Sequence, residues 1–425
     1  MIQQNEPAVA MDRPRLVHMT TVPQSLNFLE GQIEYAKSKG LEVHAISSPG
    51  AALADFGARM GIEVHELAMT RRITPLRDIG AIWRLCRLLR QLRPQIVHGH
   101  TPKGGLLSML GAWLCGVPVR IYHVHGLPLI TAKGLKRLLL RWSEKISCLL
   151  ASQVYCVSES VRNVVVAEGL CPAKKIKVLH NGTINGINAE THFNPDRIDA
   201  DARQDIRKTY NIPMDALVVG FVGRIVRDKG IIELAQAWKK LREEFQNLHL
   251  LILGPFEPQD PVPADIERQL RDDQRVHLAG WLSSEKLPRH FCAMDVLALP
   301  TYREGFGLVL LEAAAMALPV VASRIPGCID AVVEGETGTL VPSHDNMALN
   351  VALQAYLCDA ELRRRHGRAG RDRVLRDFRP EDLNEATYRE YVRLLRDKGI
   401  FVLPEGGRKG SCAADAVAIA ERHCD

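Results

Sequence analysis

The stretch that decides the fold is Val296-Leu-Ala-Leu-Pro-Thr-Tyr-Arg-Glu-Gly-Phe-Gly-Leu-Val-Leu-Leu-Glu312. It begins as an apolar run typical of a buried parallel strand and ends in a segment typical of a helix. Ligands of doubly wound sheets bind at such junctions, because the amides at a helix start are unpaired and the helix dipole favours anions. Glu304 and Glu312 are two acceptors that suit the hydroxyl groups of a sugar. A helix start with an acidic first turn explains the same pattern, so this stretch alone leaves both interpretations open.

Strand-like and helix-like segments alternate along the rest of the chain, which predicts parallel sheets covered by helices on both faces. The strand-like runs form two sets, which a polar segment at 183–201 separates. We therefore predict an α/β fold with two doubly wound, Rossmann-like domains that face each other across a cleft. The predicted strands lie at 16–19, 43–47, 64–67, 96–100, 119–124, 154–157, 217–222, 248–253, 276–279, 296–300, 320–323 and 339–341.

The division of the chain follows from these two sets of strands. A first domain is predicted at 13–182, a linker at 183–210, a second domain at 211–400 and a peripheral tail at 401–425. Two long helical stretches, at 347–375 and 381–398, are expected to close the second domain.

Length and charge limit the classes of protein to which the chain can belong. At 425 residues it is too long for one hydrophobic core. Its formal charge of +6 is modest, but basic residues cluster between Arg71 and Arg93 and between Lys133 and Lys145. Such clusters favour an anionic surface or anionic substrates over sequence-specific binding of nucleic acid, so we expect no nucleic-acid partner.

The cysteines and the apolar segments bear on the compartment. The ten cysteines include no C-x-x-C pair, which argues against both a zinc site and a disulfide framework. Residues 1–12 lack the apolar core of a signal peptide, and the longest apolar run, 307–322, is too short and too interrupted to cross a bilayer. We therefore expect a protein of the reducing cytoplasm.

A second anion-binding pattern follows the predicted strand at 217–222. Gly223-Arg224 comes directly after this strand, and Lys229-Gly230 precedes the next helix. Two cations at such a turn can hold a diphosphate, since arginine supplies a fork of donors and lysine a point charge. A solvated basic turn is the alternative. Because this turn and Glu304 would lie at the same edge of one sheet, together they indicate a nucleotide sugar.

These paired motifs resemble the donor site of glycosyltransferase family 4, whose members have the GT-B fold. Gly223-Arg224 with Lys229-Gly230, and Glu304-Gly-Phe-Gly followed by Glu312, carry the resemblance, which extends over about 13–398. It implies a glycosyltransferase that retains the anomeric configuration. It also implies that no metal or other cofactor is needed, because the two cations stabilise the departing diphosphate.

The resemblance implies a role for each residue of the donor site. Arg224 and Lys229 would hold the diphosphate, Glu312 the ribose hydroxyls, and Glu304 would face the transferred sugar. Main-chain groups at 306–308 would bind sugar and phosphate, and the base would lie near Trp281. The predicted donor site comprises Gly223, Arg224, Lys229, Trp281, Leu282, Glu304, Gly305, Phe306, Gly307, Leu308 and Glu312.

The first domain is then expected to bind the acceptor. Its strand ends carry two H-x-H pairs, His98-Gly-His100 and His123-Val-His125, and alternation puts both histidines of a pair on one side of a strand. A metal site is conceivable there, but no nearby acidic cluster completes it. By resemblance His125 lies near the reacting sugar, with a packing role as the alternative. The predicted acceptor site is Thr21, Lys103, Gly104 and His125, and the predicted catalytic residues are His125, Arg224, Lys229 and Glu304.

Three further sequences resemble a bacterial subgroup that assembles surface polysaccharides on lipid-diphosphate carriers. They are Thr20-Thr-Val-Pro-Gln-Ser25, His100-Thr-Pro-Lys-Gly-Gly105 and His123-Val-His-Gly-Leu-Pro128. The first of them stands where many family members have a Gly-Gly turn after their first strand. The resemblance implies a lipid-linked, polyprenyl-diphosphate saccharide as acceptor, in the synthesis of exopolysaccharide, capsule or O-antigen, with Lys103 placed to hold a phosphate.

The segment at 129–150 mixes lysine and arginine with leucine, isoleucine and tryptophan, and 71–93 is similar. The mixture suits a helix that lies on an anionic membrane, although a domain helix with its cations in solvent has the same composition. A lipid-linked acceptor favours peripheral contact with the inner face of the cytoplasmic membrane.

The expected function is therefore transfer of a sugar from a nucleoside-diphosphate sugar, UDP-sugar in particular, to that acceptor. Two other classes stay open. A GT-B-fold epimerase or phosphorylase would form product without an added acceptor, and a catalytically silent protein would bind a sugar nucleotide without releasing the nucleotide.

Overall fold

Two parallel β-sheets form the cores of the two halves of the chain. The structure is a computed structural model and describes residues 13–70, 74–258 and 260–401. The strands of the first sheet are β1 (Arg15–Met19), β2 (Glu42–Ser47), β3 (Glu63–Glu66), β4 (Ile96–His100), β5 (Val119–Val124), β6 (Gln153–Cys156) and β7 (Ile176–Val178). Those of the second sheet are β8 (Leu217–Val222), β9 (Leu248–Leu253), β10 (Val276–Gly280), β11 (Val296–Leu299), β12 (Val320–Ser323) and β13 (Gly338–Val341).

The strand order of each sheet creates one position that favours ligand binding. The orders are β3-β2-β1-β4-β5-β6-β7 and β10-β9-β8-β11-β12-β13. In each sheet the order reverses beside the first strand, between β1 and β4 and between β8 and β11. Connections leave such a pair of strands toward opposite faces, which opens a crevice at their carboxyl ends. The predicted doubly wound architecture is thus confirmed.

The strands predicted from the sequence are all present, with bounds that differ by no more than one residue. The sequence analysis missed β7, which has three residues and is too short for a clear period. The expectations for 1–12 and 71–73, and for the tail apart from Phe401, lie outside the described residues.

Helices cover both faces of each sheet. They are α1 (Glu30–Ser38), α2 (Ala51–Met60), α3 (Pro75–Leu92), α4 (Pro102–Leu114), α5 (Gly134–Leu150), α6 (Glu159–Ala167), α7 (Ala202–Thr209), α8 (Ile231–Glu244), α9 (Ala264–Asp272), α10 (Leu287–Phe291), α11 (Leu308–Ala315), α12 (Cys328–Ala331), α13 (Asn346–Cys358), α14 (Ala360–Asp377) and α15 (Pro380–Arg396). Successive strand residues alternate between two apolar layers, as Leu16 and Val17 of β1 do.

The stretch predicted to be helical at 347–375 consists of two helices, α13 and α14. Asp359 separates them because its backbone is extended and its carboxylate accepts hydrogen bonds from the amides of Glu361 and Leu362, both at 2.9 Å. An aspartate that caps the next helix in this way competes with continuation of the previous one.

The last described helix, α15, does not close the second domain as expected, because it crosses back and packs on α1 of the first domain. The Tyr391 hydroxyl forms a hydrogen bond of 2.7 Å with Nδ1 of His98 on β4. The Tyr155 hydroxyl of β6 donates to Glu390 at 3.0 Å. Tyr391 and Leu395 are buried, so α15 covers part of the first sheet and joins the two domains.

The contact between α15 and β4 yields a stability prediction. Tyr391→Phe leaves the buried Nδ1 of His98 without its hydroxyl partner, and we expect the free energy of unfolding to fall by about 1–3 kcal/mol in urea titrations. Tyr388→Phe on the same helix is the matched control, because its hydroxyl makes an exposed contact of 3.4 Å with the Lys39 carbonyl. Equal stability of the two variants would contradict the assigned contribution of the buried contact.

Candidate active site

A cavity of about 420 Å³ lies between the two domains at the carboxyl ends of both sheets. Its wall includes His100, Thr101 and His125 from the first domain, and Gly223 and Lys229 from the second. The loop between β11 and α11 and the first two turns of α11 supply most of the rest of that side, namely Glu304, Gly305, Phe306, Gly307, Leu308, Val309 and Glu312. Most of the predicted donor site and one predicted acceptor residue therefore line one cavity.

The loop before α11 depends on its two glycines. Gly307 is the N-cap of α11 and has φ +75°, a left-handed conformation that glycine adopts without strain. Gly305 approaches the other domain so closely that a Cβ atom there would lie 1.9 Å from the carbonyl oxygen of His125. The Ser158 hydroxyl donates to the Gly305 carbonyl at 2.9 Å. The loop is thus fixed against the first domain at the floor of the cavity.

Phe306 and Leu308 stand on either side of Gly307. The Phe306 side chain is buried, and its ring meets that of Phe378 edge to face with centroids 5.5 Å apart. Leu308 is the first residue of α11 and is half-buried. The buried Phe306 ring anchors the loop. A ligand in the cavity would therefore contact the main chain of 306–308 at the helix start.

Lys229 and the two glutamates flank the crevice between β8 and β11. The Lys229 ammonium group forms an ion pair with Glu304, and both side chains are largely buried. Gly230 has φ +70°, and a Cβ atom there would lie 1.8 Å from the Pro300 carbonyl oxygen, so the turn after β8 is pressed against the end of β11. Glu312 lies in the second turn of α11, where burial raises its pKa to about 7. A cation and two carboxylates thus converge at one crevice.

Three predicted donor residues lie outside the cavity wall. Arg224 is exposed and forms an ion pair with Glu257. Trp281 and Leu282 follow β10, and the Trp281 side chain is 74% exposed. Because β10, β9 and β8 are neighbours, these residues continue the row of strand ends that starts at the cavity. Their places are compatible with a ligand that extends along this edge, and their roles stay predictions.

The predicted acceptor residues Thr21, Lys103 and Gly104 lie at the start of α4, beside the crevice between β1 and β4. The Gly104 amide donates to the Thr21 hydroxyl oxygen at 3.0 Å, and that hydroxyl also meets Thr101 at 2.7 Å. Lys103 forms an ion pair with Asp78 at 2.7 Å. Polar groups of the protein already engage this helix start, so a phosphate would have to displace them. Phosphate binding by these residues stays a prediction.

Five histidines of β1, β4 and the end of β5 form one cluster behind the cavity wall, in which two hydrogen-bonded groups pack ring against ring. The bonds are His18 Nδ1 to His100 Nε2 at 3.0 Å, His100 Nδ1 to His125 Nε2 at 2.9 Å, and His123 Nδ1 to His98 Nε2 at 3.3 Å. The H-x-H pairs lie on one side of their strands, as alternation predicts. The sequence analysis missed His18, although a histidine inside the apolar run Leu16-Val-His-Met19 was a visible signal.

Burial keeps this cluster neutral at physiological pH. It lowers the pKa of His18 to about 3 and that of His125 to about 4. The pKa values of His98, His100 and His123 are also well below the ordinary value, first through burial and then through the neighbouring histidines. His125 therefore meets the cavity as a neutral imidazole whose Nε2 is tied to His100, which fixes its orientation.

The cluster also contains atoms that could hold a metal. Nitrogens of His18, His98 and His100, and of His100, His123 and His125, lie within 4.8 Å of one another. In each group two of these rings are already joined by a hydrogen bond of 2.9–3.0 Å. That the enzyme works without a metal stays a prediction.

The chain matches two protein families along its length. Residues 27–182 match the family described as glycosyl transferase 4-like domain, and residues 202–373 match glycosyl transferases group 1. The capsular polysaccharide biosynthesis glycosyltransferase CapM of Staphylococcus aureus is 33% identical over 388 residues, which is 91% of this chain and 99% of CapM. The chain belongs to glycosyltransferase family 4. This family 4 protein is therefore a glycosyltransferase, and not one of the two alternatives, an epimerase or phosphorylase and a silent binding protein, that the sequence also allowed.

Solved structures agree on the fold of this glycosyltransferase. A glycosyltransferase from Rickettsia africae has a TM-score of 0.73 at 17% identity and covers 91% of this chain and 100% of its own. Alr3699/HepE from Anabaena has a TM-score of 0.72 at 16% identity and covers 89% and 99%. The two facing domains are thus the predicted GT-B fold. Within the described ranges, none of the helices has both the length and the apolar character needed to span a membrane.

The buried histidines predict that this glycosyltransferase loses stability in mild acid. Below the ordinary pKa of 6.5 the unfolded chain binds more protons than the folded one at these five positions, so the free energy of unfolding falls as pH falls. Each histidine contributes about 1.4 kcal/mol per pH unit. Glu144 and Glu312, whose pKa values burial raises to about 7, act with the opposite sign but are outnumbered.

Urea titrations between about pH 7.5 and pH 5.5 would measure this slope. The slope of the free energy of unfolding against pH reports how many more protons the unfolded chain binds, and we expect His18→Gln to reduce this number by about one. A slope that is flat in the wild-type protein, or unchanged in the variant, would contradict the neutral state of the cluster.

Proposed function

We propose that this enzyme transfers a sugar, with retention of its anomeric configuration, from a UDP-sugar to a polyprenyl-diphosphate-linked saccharide in bacterial surface-polysaccharide synthesis. The observation that carries the proposal is the convergence of Lys229, Glu304 and Glu312 at one crevice, opposite the neutral imidazole of His125. A cation for a diphosphate and two carboxylates for hydroxyl groups are the complement of a nucleotide sugar.

The donor binds through displacement of ion pairs. The diphosphate takes the place of Glu304 beside Lys229 and of Glu257 beside Arg224, since it carries two negative charges and each carboxylate only one. Glu304 then turns to the sugar hydroxyls, and Glu312 accepts hydrogen bonds from the ribose. The Anabaena neighbour, solved with UDP and with UDP-glucose, supports uracil as the base.

The proposed acceptor follows from the relatives. CapM is named for capsular polysaccharide biosynthesis. An Escherichia coli relative, 26% identical over 70% of this chain and 75% of its own, is named UDP-Gal:alpha-D-GlcNAc-diphosphoundecaprenol alpha-1,3-galactosyltransferase. The first name supports a role in surface-polysaccharide synthesis, and the second supports a saccharide on a lipid diphosphate as the acceptor, which would enter from the side of the first domain.

In the transfer step the bond between the anomeric carbon and the diphosphate breaks, and the acceptor oxygen attacks that carbon on the same face. Lys229 and Arg224 offset the charge that develops on the departing diphosphate. A phosphate oxygen of the donor takes the proton of the acceptor hydroxyl. His125, held by His100 at 2.9 Å, orients the reacting sugar as a neutral hydrogen-bonding group. The positive charge for this step comes from the protein, so the proposed reaction needs no metal.

A lipid-linked acceptor requires contact with a membrane, and one face of the first domain suits this role. Trp83, Trp113 and Trp142 are each more than half exposed, and they lie on α3, α4 and α5, which pack side by side. On α5 and at its N-cap these aromatic residues are joined by exposed Leu135, Leu138, Leu139 and Leu149 and by exposed Lys133, Lys136, Arg137, Arg141 and Lys145. We propose that this face lies on the anionic inner surface of the cytoplasmic membrane.

Substitution of the two cations tests the proposed catalytic role. In Lys229→Ala and Arg224→Ala we expect kcat to fall by about two orders of magnitude or more, because each cation stabilises the departing diphosphate. Release of UDP from a panel of UDP-sugars, with membrane extract as acceptor, measures it. Lys239→Ala on α8 is the matched control, since its side chain is exposed. Near-normal turnover in both variants would contradict the assigned role of the two cations.

Vesicle binding tests the proposed membrane face. The wild-type protein should sediment with phosphatidylglycerol vesicles and far less with phosphatidylcholine vesicles, and the double variant Trp83→Ser, Trp142→Ser should lose most of this binding. Trp281→Ser is the matched control for vesicle binding, because Trp281 is as exposed but belongs to the second domain. Equal binding of the double variant and the control would place the membrane contact elsewhere.

A further inference from the structure

A second group of histidines lies at the edge of the first sheet, away from the cleft. His44 is on β2, and Glu63 and His65 are on the edge strand β3. The parallel register pairs His44 with Glu63 and Ile46 with His65. Residues that pair, and residues two apart on one strand, project from the same face of a sheet. The three side chains are therefore neighbours on one face, carried by two adjacent strands.

The distances within this group match those between the ligands of one metal ion. His44 Nδ1 lies 3.3 Å from His65 Nε2 and 3.6 Å from Glu63 Oε2. Bonds of about 2.0–2.2 Å to a tetrahedral zinc ion place its ligand atoms about 3.3–3.5 Å apart. By contrast, the His249–His277 pair in the second sheet is 2.9 Å apart, an ordinary hydrogen-bond length. The two distances from His44 Nδ1 at the first sheet thus fit ligand atoms that share one ion.

A carboxylate behind His44 fixes the ring in the state that binds metals. Its Nε2 is 2.9 Å from Glu42 Oε1, and the Arg15 guanidinium donates to the other oxygen of Glu42 at 3.0 Å. A proton on Nε2 shared with Glu42 leaves the lone pair of Nδ1 directed at His65 and Glu63. Histidine ligands of metals are commonly held by a carboxylate in this way.

The group is open on one side. The His44 side chain is buried, whereas that of Glu63 is 75% exposed, which leaves room for a water molecule as a fourth ligand. Two imidazoles and one carboxylate are a donor set that zinc prefers.

We propose that His44, Glu63 and His65 bind a divalent cation of the zinc type. The ion ties β3, which has only four residues and is exposed at both ends, to its neighbour β2. Its role is to hold the edge of the first domain, not to take part in sugar transfer, so it stands apart from the proposed function. The cation would supply a cross-link that the short strand pairing lacks.

Zinc titration of the full-length protein, freed of any tag and treated with a chelator, tests the site. We expect one equivalent of ZnCl2 to bind with a dissociation constant in the micromolar range or below, and CoCl2 to give the visible absorption of a tetrahedral site. Saturating zinc should raise Tm by several degrees, because it binds only the folded state. His65→Gln should lose this equivalent, and Glu63→Gln should weaken it by about tenfold or more.

His277→Gln is the matched control, because it removes a histidine from the pair that lacks a carboxylate ligand. It should keep the zinc equivalent and the rise in Tm. Glu63→Gln keeps the test valid if His65→Gln fails to fold, since the Glu63 side chain is exposed. A wild-type protein that binds no zinc overturns the proposal. So does zinc binding that survives His65→Gln and Glu63→Gln but is lost in His123→Gln, which would assign the ion to the cleft histidines.

Discussion

The backbone contact between Gly305 and His125 constrains the geometry of the cleft. A side chain at Gly305 would collide with the His125 carbonyl, so glycine alone lets the loop before α11 reach the first domain. The Ser158 hydroxyl holds the Gly305 carbonyl from the same domain. Because Gly305 is fixed, the positions of Glu304 and of the start of α11 relative to His125 are fixed as well. The two walls of the cleft are thus aligned by main-chain atoms.

The cations of the cleft are held in ion pairs, and the two pairs differ in strength. Arg224 is about half exposed, so its pair with Glu257 contributes on the order of 0–1 kcal/mol and is easily exchanged. Lys229 and Glu304 are mostly buried, so water screens them less and exchange there requires a stronger anion. A diphosphate, which carries two negative charges, meets this requirement, whereas a carboxylate or chloride does so poorly. In the proposed donor complex the inner pair would therefore add selectivity for the diphosphate.

The sequence predicts what depends on neighbours along the chain. Apolar runs bounded by turns identified the strands, and the short motifs around Lys229 and Glu304 identified one wall of the cavity. It does not predict what depends on registers between distant strands. His18 bonds to His100, 82 positions away, and His98 bonds to Tyr391, 293 positions away. The sequence around each histidine gives no indication of its partner. Arg224 and Trp281 were also predicted as donor residues, but their side chains are exposed and lie outside the cavity wall.

The return of α15 to the first domain makes that domain discontinuous in sequence. Its sheet is complete once Val178 has been synthesised, yet the helix that covers Tyr155 and His98 begins only at Pro380. On the ribosome, N-terminal domains usually fold first and as units. Here the second domain emerges whole while the first still exposes the surface that α15 will cover. The first domain can therefore be completed only after the strands of the second domain have been synthesised.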